Sequence, residues 1–291
     1  MTIRFGVTLP QFTSDPDRFA AGVQRAGDLG FDSVWVFDHI WPLGGEPDRP
    51  ILECWSALAW LAVRTDLQIG TLVTRSSLRH PALLGKMAAT LGAIAPGRVT
   101  VAIGSGDHMN RGENESIGAP FFSGMERIRQ LVSTVTVVQR FLSLPEVTLA
   151  DAFMDVKSLP ATPRPAVAPA VWVGGRSNEI LEVAGRLADG WNGWGANVDA
   201  FAADAAKVRS VAGERRFEIS WAGQVVLDEP SPDRLPGHGK PADRLAGSPE
   251  EIAAALERVV DAGATHLIAS VPSVTPDDYD ALAAVAARLK A

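Results

Sequence analysis

The sequence predicts a (β/α)8 barrel, a TIM barrel of the α/β class, and three features of the 291-residue chain carry that expectation. Eight short β-type runs alternate with helical patterns. The runs are apolar at consecutive rather than alternate positions, which suits a parallel sheet buried on both faces. No shift in composition divides the chain. Barrels of this class run to about 250 residues as one unit, so residues 1–291 are expected to form a single domain.

Taken in order, Ile3–Leu9 reads as the first strand and Pro16–Leu29 as a helix with Phe19, Val23 and Ala26 on one face. Ser33–Phe37 is the second strand, followed by a helix over Trp55–Ala62. Leu67–Val73 with Ala82–Leu91, and Arg98–Ile103 with the long helix Gly124–Leu142, are the third and fourth pairs. Ala170–Val173, Gly190–Trp194, Ile219–Leu227 and His266–Val271 complete the eight strands. Helix-to-strand junctions recur with a glycine near the helix end (Gly27, Gly185, Gly263), where a left-handed cap is expected. Ser248-Pro249-Glu250-Glu251 is a helix start, with serine at the N-cap, proline at the first helical position and glutamate completing a capping box. Asp107–Ser123, Pro145–Pro169 and Asp228–Gly247 are rich in Gly, Pro and charge and read as loops. Long excursions of an α/β barrel are expected over its active mouth.

Composition narrows the function. A content of 46% hydrophobic and 21% charged residues is that of a soluble globular enzyme. The net charge of −7 argues against nucleic acid or an anionic membrane as the main partner. Cys54 is the only cysteine, so no intrachain disulfide forms and secretion is not indicated. The N-terminus enters an apolar run without a basic head and cleavage site, and no apolar stretch reaches about 18 residues, so a cytoplasmic location is expected. None of the five lysines falls at the C-terminal end of an expected strand, which argues against Schiff-base chemistry. No nucleophile elbow, phosphate-binding Walker loop or dinucleotide fingerprint is present.

Residues just past the strand C-termini face the mouth of a barrel. Here those are Asp38 and His39; Thr74, Arg75, Arg79 and His80; Asp107, His108, Asn110 and Arg111; and Gly174, Gly175, Arg176, Ser177 and Asn178. Arg75, Arg79, Arg111 and Arg176 converge there, which suggests an anionic ligand such as a phosphate-bearing cofactor, against the plainer reading of surface arginines. Gly174-Gly175-Arg176-Ser177 leads straight into a helix, where close backbone approach and free N–H groups bind phosphate, or forms a plain tight turn. Adjacent residues on a strand point to opposite faces, so Asp38-His39 is not a metal pair, and no metal site is expected. His39 is expected to transfer protons or touch ligand, with Asp107, a carboxylate on a glycine-rich bend, as its acid–base partner. The alternatives are a structural histidine and a turn aspartate.

Phe31 to His39, Leu67 to Val73 followed by Arg79-His80-Pro81-Ala82, Gly97 to Gly106, and Val171 to Gly175 with Ala188 to Trp191 together resemble the luciferase-like flavin and deazaflavin oxidoreductases. Gly247 to Glu251 resembles their final helix. The resemblance covers nearly the whole chain and is nearest to the branch that uses coenzyme F420, which includes glucose-6-phosphate dehydrogenases and methylenetetrahydromethanopterin reductases. It implies that Asp38, Leu72, Val73, Thr74, Asn110, Gly174, Gly175, Arg176 and Ser177 contact the cofactor. It also implies a cis peptide at Leu72–Val73 behind the tricyclic ring, and His39 and Asp107 as the catalytic residues. Two departures stand out. Trp41-Pro42 follows the Asp-His pair where those sugar-phosphate enzymes carry a tryptophan a few residues later, and aspartate replaces their glutamate at 107, so glucose 6-phosphate is not carried over. The implied function is F420-dependent hydride transfer with a small organic substrate, by a homodimer. The rivals are an FMN-dependent monooxygenase on the same barrel, a cofactor-free barrel acting as a binding protein, and a cofactor-free lyase or isomerase.

Overall fold

The computed structural model describes residues 2–42, 48–227, 244–271 and 276–290. In chain order the elements are β1 (Arg4–Thr8), α1 (Pro16–Asp28), β2 (Ser33–Val36), α2 (Cys54–Ala62), β3 (Gln68–Thr71), β4 (Thr74–Arg75), α3 (Pro81–Ile94) and β5 (Val99–Gly104). Next come α4 (Arg111–Ser116), α5 (Gly124–Ser143), β6 (Glu146–Ala150), β7 (Asp155–Pro160), β8 (Ala170–Gly174), α6 (Asn178–Leu187), β9 (Gly190–Trp194) and α7 (Val198–Ala212). The chain ends with β10 (Glu218–Leu227), β11 (Arg244–Gly247), α8 (Pro249–Asp261), β12 (His266–Ser270) and α9 (Pro276–Lys290). Strands β1, β2, β3, β5, β8, β9, β10 and β12 pair in that order, all parallel. The β12–β1 pairing closes the ring, with Gly6 opposite both Ile268 and Ser33. The expected barrel is therefore the observed fold.

Helix starts follow their sequences. Asp15 caps α1 by accepting from the Asp17 N–H at 2.9 Å, ahead of a proline at the first helical position. Ser248 and Glu251 form the expected capping box of α8. The inner faces of α1, α6 and α8 bury Phe19 and Val23, Ile180 and Leu181, and Ile252 and Leu256 against the outside of the sheet. Each such side chain contributes about 1.5–3 kcal/mol on full burial.

Inside the barrel the filling is aromatic. Trp35 of β2 and Trp172 of β8 stack with ring centroids 5.4 Å apart, and His266 meets both edge-on. Glycines on neighbouring strands make the room: a Cβ at Gly70 would sit 2.3 Å from the Trp35 ring, and one at Gly190 2.7 Å from that of Trp172. The Trp35 indole donates to Ser33 Oγ at 2.8 Å, and Ser33 Oγ lies 2.7 Å from His266 Nε2. Near the N-terminal rim Arg4 pairs with Glu218 and donates to Gln68.

Four expectations change. The stretch 145–169 contains the antiparallel hairpin β6–β7, packed through Val147, Met154 and Val156 against Ala82, Ala89 and Phe141 of α3 and α5, outside the barrel rather than over its mouth. The run Leu67–Val73 does not continue as one strand: β3 ends at Thr71, the Leu72–Val73 peptide is cis, as the resemblance implies, and β4 resumes at Thr74. Gly30, not Gly27, takes the left-handed conformation after α1 (φ 73°). Gly185 instead lies inside α6, where a Cβ would press 2.6 Å from Val211 of α7. Of the excursion at 228–247, only Arg244–Gly247 lies within the described residues, as β11.

His266 is fully buried, and that burial, with Arg4 nearby, holds its pKa well below the ordinary histidine value. Below about pH 6.5 the unfolded chain binds a proton there that the folded chain refuses, so stability is lost as pH falls. Urea unfolding between about pH 6.5 and 5 is expected to show a loss approaching ~1.4 kcal/mol per pH unit that the His266→Gln variant lacks. An equal slope in both proteins would remove His266 from the account.

Candidate functional site

The C-terminal ends of the barrel strands carry two linked clusters of buried charge. In the first, Asp38, 2% exposed, accepts from Thr74 Oγ1 (2.8 Å), the Arg75 N–H (3.0 Å) and both terminal nitrogens of Arg79 (2.6 and 2.9 Å). Thr74 in turn accepts from the Trp55 indole at 2.9 Å, and Arg79 also reaches Glu53 at 2.6 Å. Burial opposes the charge of Glu53, but N–H groups at the start of α2 and Arg79 hold its pKa below the usual carboxylate value. The exit of β2 is thereby tied to β4 and α2.

The second cluster centres on Glu113. This residue is not among the sequence-expected site residues, because 107–123 reads as a loop. The segment instead forms a 3-10 turn (His108–Asn110) running into α4, which turns Glu113 and Asn114 inward. Glu113 is fully buried: it accepts from the Ile40 N–H (2.6 Å), the Trp41 N–H (3.4 Å) and Asn110 Nδ2 (3.2 Å), forms an ion pair with Arg75 Nη1 (3.1 Å), and lies 3.1 Å from His39 Nδ1. Burial pushes its pKa up, yet the His39 and Arg75 contacts and the Ile40 amide outweigh that and leave it below the ordinary value. The available signal was spacing: Glu113 stands one helical turn after Asn110.

The expected site residues fall into two groups. His39, with its side chain 18% exposed, stands at the exit of β2, joined through Glu113 to Asn110. Asp107 is exposed and accepts from the Met109 N–H at 2.8 Å, while its own N–H donates to Asn110 Oδ1 at 2.9 Å. Among the described residues Asp107 is linked to His39 by way of Asn110 and Glu113. Asp38, Thr74 and Asn110 lie behind the surface, their polar atoms engaged within the protein. Leu72 is buried, and Val73 is part-exposed and seated on two strand ends: a Cβ at Gly104 would be 2.6 Å, and one at Gly174 2.7 Å, from its methyl groups.

The arginines do not form the open cationic mouth expected of four free guanidinium groups. Each has a carboxylate: Arg75 has Glu113, Arg79 has Asp38 and Glu53, Arg111 has Glu115 at 3.4 Å, and Arg176 has Asp204 at 2.6 Å. What remains for an anion is the start of α6. Gly175 turns there with φ 132°, Ser177 caps the helix by accepting from the Ile180 N–H, and Arg176 is 35% exposed. Lys207 Nζ lies 2.5 Å from Asn178 Oδ1 on the first turn. First-turn N–H groups flanked by two cations suit a phosphate. Buried Arg75 Nη2 has no hydrogen-bond partner among the described residues.

Aromatic side chains cross the opening. Phe37, just past the end of β2, and Trp194, at the end of β9 across the ring, meet edge-on at 6.2 Å, and Phe12 stacks on Phe37 at 5.8 Å. Trp41 packs beside Gly112 of α4. Among the described residues no group of three or more His, Cys, Asp or Glu side chains has the geometry of a metal site, and no helix is long and apolar enough to cross a membrane.

Residues 2–235 match the family model described as luciferase-like monooxygenase. The chain is 30% identical over 179 residues to an F420-dependent glucose-6-phosphate dehydrogenase of Kineococcus radiotolerans, covering 60% of this chain and 52% of that protein. It is 28% identical over 188 residues to an F420-dependent hydroxymycolic acid dehydrogenase of Mycobacterium tuberculosis, covering 64% and 51%. The aligned part thus spans about half the length of these curated relatives. A solved structure of an F420-dependent secondary alcohol dehydrogenase with an F420–acetone adduct superposes with a TM-score of 0.85 at 20% identity, covering 100% of both chains, which bears on the fold.

Removing one member of a buried ion pair strands the other, at a cost of roughly 3–5 kcal/mol, whereas half-exposed pairs contribute about 1 kcal/mol or less. Asp38→Asn is therefore expected to lower the urea midpoint far more than Glu53→Gln. Equal losses would contradict the anchoring role of Asp38.

Proposed function

This chain belongs to the luciferase-like monooxygenase family, and from that premise we propose that it is a coenzyme F420-dependent oxidoreductase moving a hydride between the deazaflavin and a small organic substrate. The observation that carries this reading is the pairing of two features at one barrel mouth. One is an imidazole anchored by a buried carboxylate, and the other is a glycine-edged helix start with two cations beside it. The choice of F420 over FMN is supported by the names of the curated relatives, which act with F420.

The residues fit such a coenzyme. Gly175, Arg176, Ser177 and Lys207 would hold its phosphate, and Val73 with Leu72 would back its ring. A bound deazaflavin supplies a two-electron hydride acceptor or donor, its reactive atom being carbon rather than the nitrogen of a flavin. The protein contributes orientation and a place for the accompanying proton, which His39 is positioned to take or give. Asp38, Thr74 and Asn110 serve in this reading by fixing the wall against which coenzyme and substrate lie, and Asp107 by setting the turn that presents Asn110. In the same reading the enzyme is a single-domain cytoplasmic homodimer whose partners are small molecules rather than nucleic acid or a membrane. Its one cysteine is a buried free thiol, and Val63, just past α2, and Leu83 and Ile94 of α3 are exposed.

Titration with F420 and with FMN, followed by turnover of a panel including secondary alcohols and glucose 6-phosphate, tests the proposal. F420 should give a saturable spectral change and hydride transfer to or from a panel member. Tight FMN binding with oxygen consumption would favour a monooxygenase, and no spectral change with either would favour a cofactor-free binding protein. Removal of a general acid–base group costs about 10²–10⁴-fold. His39→Ala should therefore keep F420 affinity within about threefold and lower kcat by a factor in that range.

A further inference from the structure

Resting on the F420-dependent reading, we infer that Glu113 is a positioning residue that fixes which nitrogen of His39 works. Its carboxylate is surrounded by donors and charge: Oε1 takes the Ile40 and Trp41 N–H groups, while Oε2 takes Asn110 Nδ2, is ion-paired with Arg75 and lies 3.1 Å from His39 Nδ1. An ionised carboxylate can only accept, so His39 Nδ1 must carry a hydrogen. In the neutral ring the lone pair then sits on Nε2. The same carboxylate grips the backbone just after His39, so ring and main chain are referenced to one fixed point. That point is rigid, because Arg75 is held by the Asp38 carbonyl (3.2 Å) and by Asn114 (3.3 Å).

With an alcohol as substrate, a bound deazaflavin would supply the acceptor for the hydride lost by the substrate carbon. The hydroxyl proton passes to His39 Nε2, and the C–O bond becomes C=O. The two electrons leave with the hydride, the imidazolium that results faces the Glu113 carboxylate, and the proton later leaves from Nε2 to solvent. Reduction reverses each movement. Glu113 stays ionised throughout and takes no proton.

A counter-ion for Arg75 alone would have a different signature. Residues that act as a unit are non-additive when removed together. With F420 and the most active panel substrate, Glu113→Gln is expected to lower kcat by at least about tenfold, with KM and F420 affinity within about threefold. In a His39→Ala background the same change should lower kcat less than about twofold. Glu113→Asp keeps the charge beside Arg75 and shortens the reach to His39, so it repeats the test should the glutamine variant not fold. Ring-nitrogen NMR, assigned by difference from His39→Ala, reads the tautomer with or without turnover. The neutral ring should hold its hydrogen on Nδ1 in the wild type and lose that preference in the Glu113 variants. Equal kcat losses in both backgrounds, or a hydrogen on Nε2 in the wild type, would overturn the inference. F420 that fails to bind the wild type would instead overturn the proposed function and leave the tautomer measurement standing.

Discussion

A carboxylate withdrawn from water must find donors close by, and two such groups, Asp38 and Glu113, organise this barrel's mouth. They are the fixed points to which β2, β4, α2 and α4 are all tied. Arg75 links the two clusters, its guanidinium ion-paired with Glu113 while its backbone N–H donates to Asp38. Because the ties run between strand exits rather than along one strand, the position of His39 follows from barrel closure and not from β2 alone. Two of the four arginines at the mouth, Arg75 and Arg79, are consumed in this framework, and the proposed anion site is the first turn of α6 beside Arg176.

The barrel divides its interior by chemistry. Towards the N-terminal ends Trp35 and Trp172 fill the space in layers made possible by glycines at 6, 70 and 190. Towards the C-terminal ends the filling gives way to Val73, Phe37 and Trp194, all part-exposed or exposed, and to the polar network above them. Glycine recurs at the boundary for a packing reason as well: Gly104 and Gly174 lack side chains so that Val73 can lie between their strands. Gly174, which the sequence reading makes a residue that lets a ligand approach, also makes this internal contact.

Much of the fold was legible because local chemistry and global architecture agree. Gly190–Trp194 matches β9 at both ends, and Ser248 to Glu251 caps α8 as its composition demands. The hairpin β6–β7 was read as a loop because its strands pack one apolar row onto α3 and α5 and leave the other face to solvent, so no continuous apolar run marks it. The site was legible in outline only. Strand-exit position brought out Asp38 and His39, but the acid each arginine pairs with depends on distances between segments far apart in sequence. Glu113 lies 74 positions from the histidine it holds, and nothing local in Arg-Gly-Glu-Asn-Glu-Ser says which of its two glutamates turns inward.

A crystal structure of the protein with F420 bound would test the central claim most directly. The account predicts a coenzyme phosphate at the first turn of α6 beside Arg176 and Lys207, a ring lying against Val73, and His39 Nε2 facing that ring with Nδ1 still on Glu113. A coenzyme seated elsewhere, or His39 swung away with the Asp38 and Glu113 clusters opened, would contradict it.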